Sequence, residues 1–445
     1  MHRNGYRCLG DSPSVEAAAR FTLTDPGGKV TQSEGKISIG DEVLVMRPAQ
    51  GGASSLSLRG VTGIETANYK MLISAADGSK AELSMMGRQH DDVVREVHRA
   101  RNELIMKDLL MGEKLRKQGV KGELRAPFRG AEGEVQVRLY DTALVILPLR
   151  GTLARVRYSD IRGIEARDYV LRIELDSGEQ LGIGMLGREL DPLWKGISDA
   201  MAELEANVQA LVKDIYPGAS GETLPAASRL LKEGRAARRF DLEDLDPLLF
   251  AALEARLKAA GMGGEYDHLT SLGKRNMVRI GIKRSLVASE EDYIWFMVPL
   301  LGNPGNAVAM EATSGPSGGR ATYFFRIAPR DRYPGMDEGA RREAAEECMD
   351  ILTAGLQEIN FRRQPIYLKD EDLIAPQYAK YRFSVILMPS LRDLRSRFIG
   401  RVAHTSPEEW TAKVTELLAF NASAKGNGRW SASEAEEESA AEGDG

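Results

Sequence analysis

The chain has 445 residues, of which 42% are apolar and 28% charged, room for about three ordinary soluble domains. Its formal net charge of −5 argues against a protein that coats nucleic acid, which carries a clear basic excess. Two cysteines so far apart as Cys8 and Cys348 exclude a disulfide framework and a cysteine-ligated zinc site.

The first residues, MHRNGYRCLGDSPSVEAAAR, lack the apolar stretch of a signal peptide. No segment reaches the roughly 18 uninterrupted apolar residues of a membrane span. A flexible N-terminus over 1–19 and a reducing cytoplasm are expected. From there the chain writes one text twice. Shifted by one hundred, it aligns without a gap from Glu34/Glu134 to Leu104/Leu204, with 19 identities in 71 positions. They include Asp41/Asp141, Pro48/Pro148, Gly51/Gly151, Glu65/Glu165, Tyr69/Tyr169, Gly78/Gly178 and Arg88/Arg188. Each copy is long enough to bury its own core, so a tandem duplication is expected, with domains at 20–115 and 120–213.

In the second copy, EVQVRLY (134–140) and ARVRY (154–158) alternate apolar and polar residues, as half-buried strands do. ALVILPL (143–149) is a continuous apolar run. IRGIEA (161–166), YVLRIEL (169–175) and QLGIGML (180–186) follow, and an earlier strand lies near GELRAPF (122–128), about seven strands in all. Asp77-Gly78 and Ser177-Gly178 stand where two-residue hairpin turns are predicted, because glycine tolerates positive φ. A helix then closes each copy. In the second, Asp191 is placed as the N-cap and Pro192 at the first helical position. Leu193, Trp194, Ile197, Met201, Leu204, Val208, Leu211 and Val212 fall on one face. The first copy has Asp91, then Val93, Val94, Val97, Leu104 and Ile105.

Seven short antiparallel strands closed by an amphipathic helix resemble the pleckstrin-homology (PH) superfold, and YSDIRGIEARDYVLRIELDSGEQL (158–181) is similar to bacterial PH-like and GRAM-like modules. The resemblance covers residues 20–213. It implies two bent seven-stranded barrels, each plugged by its helix, whose loops and edges bind lipid headgroups, peptides or other proteins without catalysis. The fold does not fix which. Arg88 and Arg188 are the candidate ligand contacts of the repeat; a structural bridge between last strand and helix is the alternative. Phosphoinositide recognition wants several converging cations. Arg125, Arg129 and Arg138 in one copy, and Lys29 and Lys36 in the other, are too few to predict it.

DIYPGASGETLPAAS (214–228) reads as a linker, and 229–420 as an α+β domain without a family resemblance. RLLKEGRAARR (229–239) is basic. DPLLFAALEARLKAAG (246–261) reads as one helix, capped by Asp246, opened by Pro247 and closed by Gly261. NMVRIGIKR (276–284), YIWFMVPL (293–300), NAVAMEAT (306–313) and RATYFFRI (320–327) predict a four-stranded meander. YIWFMVPL, apolar on both faces, belongs at its centre. A helix over 337–360 buries Cys348. PQYAKYRFSVILM (376–388) fits helix or strand. SLRDLRSRFIGRV (390–402) reads as a helix, and its Arg392, Arg395, Arg397 and Arg401 form the densest basic patch, a candidate contact for an anionic surface. SPEEWTAKVTELL (406–418) opens with a capping box of Ser406 and Glu409. The small, polar, acidic tail over 421–445 is expected to be disordered.

GPSGG (315–319) matches the letters of a hydrolase nucleophile elbow, which needs a strand before it and a helix after. Here a strand follows, so a glycine-rich hairpin loop is the reading, and His404 downstream does not complete a triad. His90 and His98 are eight apart and cannot form an i, i+4 zinc pair. No catalytic residue, metal ligand or cofactor is therefore assigned. The fold class is α+β. The leading expectation is a non-catalytic cytoplasmic adaptor that presents duplicated PH-like modules to protein partners. The alternatives are a peripheral protein that meets anionic lipid through its basic patches, and an enzyme of unfamiliar type in the C-terminal domain.

Overall fold

A computed structural model of the chain describes residues 15–110, 113–284, 292–313, 321–423 and 428–430. GPSGG, the first fourteen residues and 431–445 lie outside the described residues. The architecture is α+β with several antiparallel sheets. It divides into two compact units, residues 1–200 with 370–386, and residues 201–369 with 387–445. No helix among the described residues is long and apolar enough to cross a membrane.

In the first unit, β1 (Glu16–Thr24), β2 (Val30–Ile39), β3 (Val43–Pro48), β4 (Ser54–Ser57), β5 (Val61–Ala67), β6 (Lys70–Ala75) and β7 (Lys80–Ser84) form one sheet, and α1 (His90–Leu110) follows. Then come β8 (Leu115–Leu124), β9 (Glu134–Tyr140), β10 (Ala143–Pro148), β11 (Ala154–Arg157), β12 (Ile161–Arg167), β13 (Val170–Leu175), β14 (Gln180–Gly184) and α2 (Leu190–Ile215). The strand orders are β4-β3-β2-β1-β7-β6-β5 and β11-β10-β9-β8-β14-β13-β12. Register repeats as well: Ile64 pairs with Ile73, and Ile164 with Ile173. Alternation does what period-two patterning demands, and β9 buries Val135, Val137 and Leu139 on one face.

Hairpin turns form at Asp77-Gly78 and Ser177-Gly178, but not as two-residue loops. The two-residue turns are Asn68-Tyr69 (φ 51° and 57°) and Asp168-Tyr169 (φ 52° and 60°), closed by the pairs Ala67↔Lys70 and Arg167↔Val170. Positive φ at both central residues is the type I′ geometry that suits the twist of a hairpin. Gly78 instead ends a longer loop. Its N–H donates to Ala75 O (3.1 Å) while Ala75 N–H donates to Ser79 O (2.9 Å). Its φ of +87° explains why glycine stands there.

α1 buries Val93, Val94, Val97, Leu104 and Ile105. A polar stripe of the same helix is buried too. Asn102 Nδ2 donates to Gly151 O (3.1 Å), and its Oδ1 accepts from Leu153 N (3.0 Å). His98 Nδ1 accepts from Gly151 N (3.2 Å), and Arg101 donates to Thr152 Oγ1 (2.9 Å) and Val61 O (3.0 Å). The closing helix of the first sheet is thus bolted to the β10–β11 loop of the second. α2 begins after a 3-10 turn over Gly187–Glu189, so Asp191 lies inside its first turn rather than at the N-cap. There its charge complements the helix dipole. Trp194 is 40% exposed and stands outside the core.

The second unit takes α2 from residue 201 onward. α3 (Thr223–Leu230) occupies part of the stretch read as a linker. β15 (Ala237–Arg238), α4 (Arg239–Leu245), α5 (Leu249–Leu257) and α6 (Gly263–Leu272) follow. Asp246 Oδ1 accepts from Leu248 N (3.0 Å) ahead of α5. Gly261, at φ +83°, lies in a π turn that leads into α6, a helix the sequence reading did not separate. β16 (Arg279–Lys283), β17 (Tyr293–Leu300), β18 (Ala307–Thr313) and β19 (Ala321–Arg326) form the expected meander, extended to the order β15-β16-β17-β18-β19-β20. Only the first residue of β17 escapes full burial, which suits its central place. α7 (Glu338–Glu358) is capped by Asp337, which accepts from Ala340 N. Cys348 on it is fully buried, and burial pushes its thiol up to about 12. α8 (Gln364–Tyr367) follows; α9 (Arg382–Leu387) settles 376–388 in favour of helix; then come α10 (Pro389–Arg397), β20 (Phe398–Ala403) and α11 (Pro407–Ser423).

β20 corrects the sequence reading of 390–402 as a single helix. The helix stops at Arg397, and FIGRVA pairs with β19, Phe398 opposite Phe325 and Val402 opposite Thr322. An exposed edge of β19 would leave a row of backbone donors and acceptors unmet, and that outweighs the helical spacing of Leu391, Leu394 and Phe398. Glu409 N donates to Ser406 Oγ (3.2 Å) at the start of α11, the Ser406 half of the expected capping box.

Candidate functional site

The paired registers Met71↔Leu83 and Leu171↔Ile183 place each Tyr turn beside the end of the next strand. There Met85 and Met185 also hold positive φ, 58° and 57°. All four side chains face solvent: Tyr69 is 81% exposed, Tyr169 86%, Met85 66% and Met185 72%. Arg88 and Arg188 follow within three residues, on 3-10 turns opened by Gly87 and Gly187. Both are exposed. Arg188 comes no nearer than 4.0 Å to Glu189, and Tyr69 lies edge-on to His90 (5.7 Å). The fold therefore builds the same Tyr–Met–Arg corner twice.

An open groove of about 950 Å³ runs between α1 and the second sheet, with Met185 on its rim. Leu147 and Leu149 give it an apolar floor. Six carboxylates (Glu16, Asp92, Glu96, Glu103, Glu123 and Glu134) and four cations (Arg95, Arg99, Lys121 and Arg138) line it. Two of those cations are already paired, Arg138 with Glu103 and Arg99 with Glu96. Arg129 likewise pairs with Glu179 (2.7 Å). The lining thus carries two more carboxylates than cations.

The other predicted arginines sit in the second unit. Arg392 lies on the exposed face of α10. Arg395 is 8% exposed and donates to Pro365 O. Arg397 donates to Ile327 O (2.6 Å), and Arg401 stacks over the Tyr367 ring (4.3 Å). In RLLKEGRAARR, Arg238 pairs with Glu346 (3.2 Å) and Arg239 with Glu243 (2.8 Å). Most of these cations are committed to packing and ion pairs.

Sequence reasoning missed a buried charge cluster in the second unit. His404, just beyond β20, places Nδ1 3.2 Å from Glu265 Oε1 on α6 and Nε2 3.3 Å from Glu311 Oε2 on β18. Burial pulls the imidazole pKa down, but the hydrogen bonds and charges of the two carboxylates outweigh it and hold it up to about 9. Among the described residues, ligand atoms of these three side chains lie within 4.8 Å of one another, a spacing at which they could hold a metal. The sequence signal was slight: a glutamate amid the apolar run of β18. In the first unit, His98 goes the other way; burial first, then the charge of Arg101, pushes it down to about 4.

No family model matches the chain, and no curated protein matches it. Among solved structures, one described as "Structure of the Spt16D Pob3N heterodimer" is similar over 37% of this chain and 85% of that chain, at 14% identity and a TM-score of 0.15. A superposition that loose carries no argument about fold, ligand or partner.

Proposed function

We propose that the first unit is a non-catalytic binding module made of two PH-like copies, and that the chain acts as a cytoplasmic adaptor for a protein partner. The observation that carries this reading is the exposed Tyr–Met corner present in both copies. Left-handed backbone costs a large L-residue on the order of 1–2 kcal/mol, and a ring left in water returns little of that. Folding alone gives no reason to keep such residues; contact does, since Tyr is a frequent anchor of binding surfaces. The acid-rich groove beside Met185 favours a partner segment with basic residues around an apolar anchor. Arg88 and Arg188 stand as flanking contacts, and two corners on one chain raise avidity.

The test is capture from native lysate by the full chain and by the Tyr69→Gly/Tyr169→Gly variant, with binding then measured on the purified partner. The expected result is a stoichiometric protein whose affinity for the variant falls by about tenfold or more, while the variant melts no lower than the parent. Equal binding by both proteins would sink the adaptor reading. Salt-sensitive sedimentation with anionic liposomes, with no protein captured, would transfer the role to the basic patches at 229–239 and 390–402.

A further inference from the structure

The second unit carries a site that the binding reading does not use. Every residue of β18 is buried, and Glu311 within it is 0% exposed. Its carboxylate is held firmly. Trp410 Nε1 donates to Thr322 Oγ1 (3.1 Å), and Thr322 Oγ1 donates to Glu311 Oε2 (2.9 Å). Indole N–H only donates, so Thr322 Oγ1 accepts from Trp410, and its single proton faces both Glu311 Oε2 and His404 Nε2, the latter at 3.3 Å. Glu311 Oε1 is left buried with no hydrogen-bond partner. A native sheet core rarely strands a carboxylate oxygen in this way without a reason.

We propose that Glu265, Glu311 and His404 bind a divalent first-row transition ion, of the Mn²⁺, Fe²⁺ or Zn²⁺ class. Their ligand atoms lie within 4.8 Å of one another. An ion bound at about 2.0–2.2 Å spans ligands up to roughly 4 Å apart, so small side-chain rotations close the set. An imidazole nitrogen beside two carboxylates selects this class over Mg²⁺ or Ca²⁺, which take oxygen. Two carboxylates and a neutral imidazole also balance a charge of two. The Trp410–Thr322 chain provides the outer support that orients a ligating carboxylate. His268, three residues after Glu265 on α6, has a buried Nε2 without a hydrogen-bond partner and lies edge-on to Trp410 (5.4 Å). Because the ligands come from α6, β18 and the segment after β20, the ion ties together parts of the second unit that are remote in sequence.

The experiment uses the full chain, stripped with chelator and dialysed against Zn²⁺ or Mn²⁺, with retained metal read by elemental analysis and stability by thermal melting. About one ion per chain and a melting temperature raised by the metal are expected, both lost in Glu265→Gln and in His404→Gln. Circular dichroism checks that each variant is folded, and either variant alone suffices. Loading with Co²⁺ adds a visible absorption band that the variants lose. No retained ion in the parent chain, or retention unchanged in a folded variant, overturns the proposal.

Discussion

Tyr169 and Gly281 show how single residues are placed against or with local cost. Tyr169 holds φ 60°, where glycine is favoured. We expect Tyr169→Gly to stabilise the fold by roughly 0.5–1 kcal/mol, the relief of left-handed strain less the extra chain entropy of glycine. Chemical denaturation checks it, and a loss of stability would mean the ring packs more than its exposure indicates. Tyr69 is the less clean case because its ring touches His90. Gly281 on β16 is the reverse. A Cβ there would stand 2.1 Å from Trp295 Nε1 and 2.8 Å from Gly234 O, the two atoms that hydrogen-bond to each other at 2.9 Å. Gly281→Ala should cost about 3 kcal/mol by forcing that pair apart, read as a lower denaturation midpoint. No local pattern announces this contact, since its partners lie fourteen and forty-seven residues away in opposite directions.

At the level of elements, α1 and α2 align without a gap yet do different work. His98, Arg101 and Asn102 are buried against the β10–β11 loop, whereas the aligned positions of α2 hold Ser198, Met201 and Ala202. Asn102→Ala would leave Gly151 O and Leu153 N–H unmet. Each buried orphan costs about 1–3 kcal/mol, so a marked loss of stability and faster hydrogen exchange at the Leu153 amide are expected. The apolar stripe of α1 was legible from its spacing; its buried polar stripe was not, because those residue types ordinarily mark solvent. The same limit explains β20, where helical spacing ran on past Arg397 but the open edge of β19 took the chain.

For the molecule as a whole, two histidines set opposing pH limbs. His98 is held down near 4, below its ordinary 6.5, so the unfolded chain binds the extra proton and stability falls as pH drops from 6.5 toward 4. His404 is raised to about 9. Its contribution is full below 6.5 and is lost as pH rises through 9. In chelated protein, urea midpoints across this range should therefore peak near neutrality, with His404→Gln flattening the alkaline limb. An alkaline limb unchanged by that variant would show that His404 is not charged between its two carboxylates.

What the sequence determined by itself was local and periodic. The shift of one hundred, the alternating strands, the meander of the second unit and the Ser406 cap of α11 rest on period, turn chemistry and repetition, which neighbouring residues carry in full. The tertiary structure decided where side chains from distant segments meet. It put the two-residue turns at Asn68-Tyr69 and Asp168-Tyr169 and gave Asp77-Gly78 and Ser177-Gly178 longer loops, committed Arg395, Arg397 and Arg401 to packing, and gathered Glu265, Glu311 and His404. The physical reason is one of range. Backbone preference acts over a few residues, whereas burial and charge pairing act through space, between residues that nothing in the local text connects.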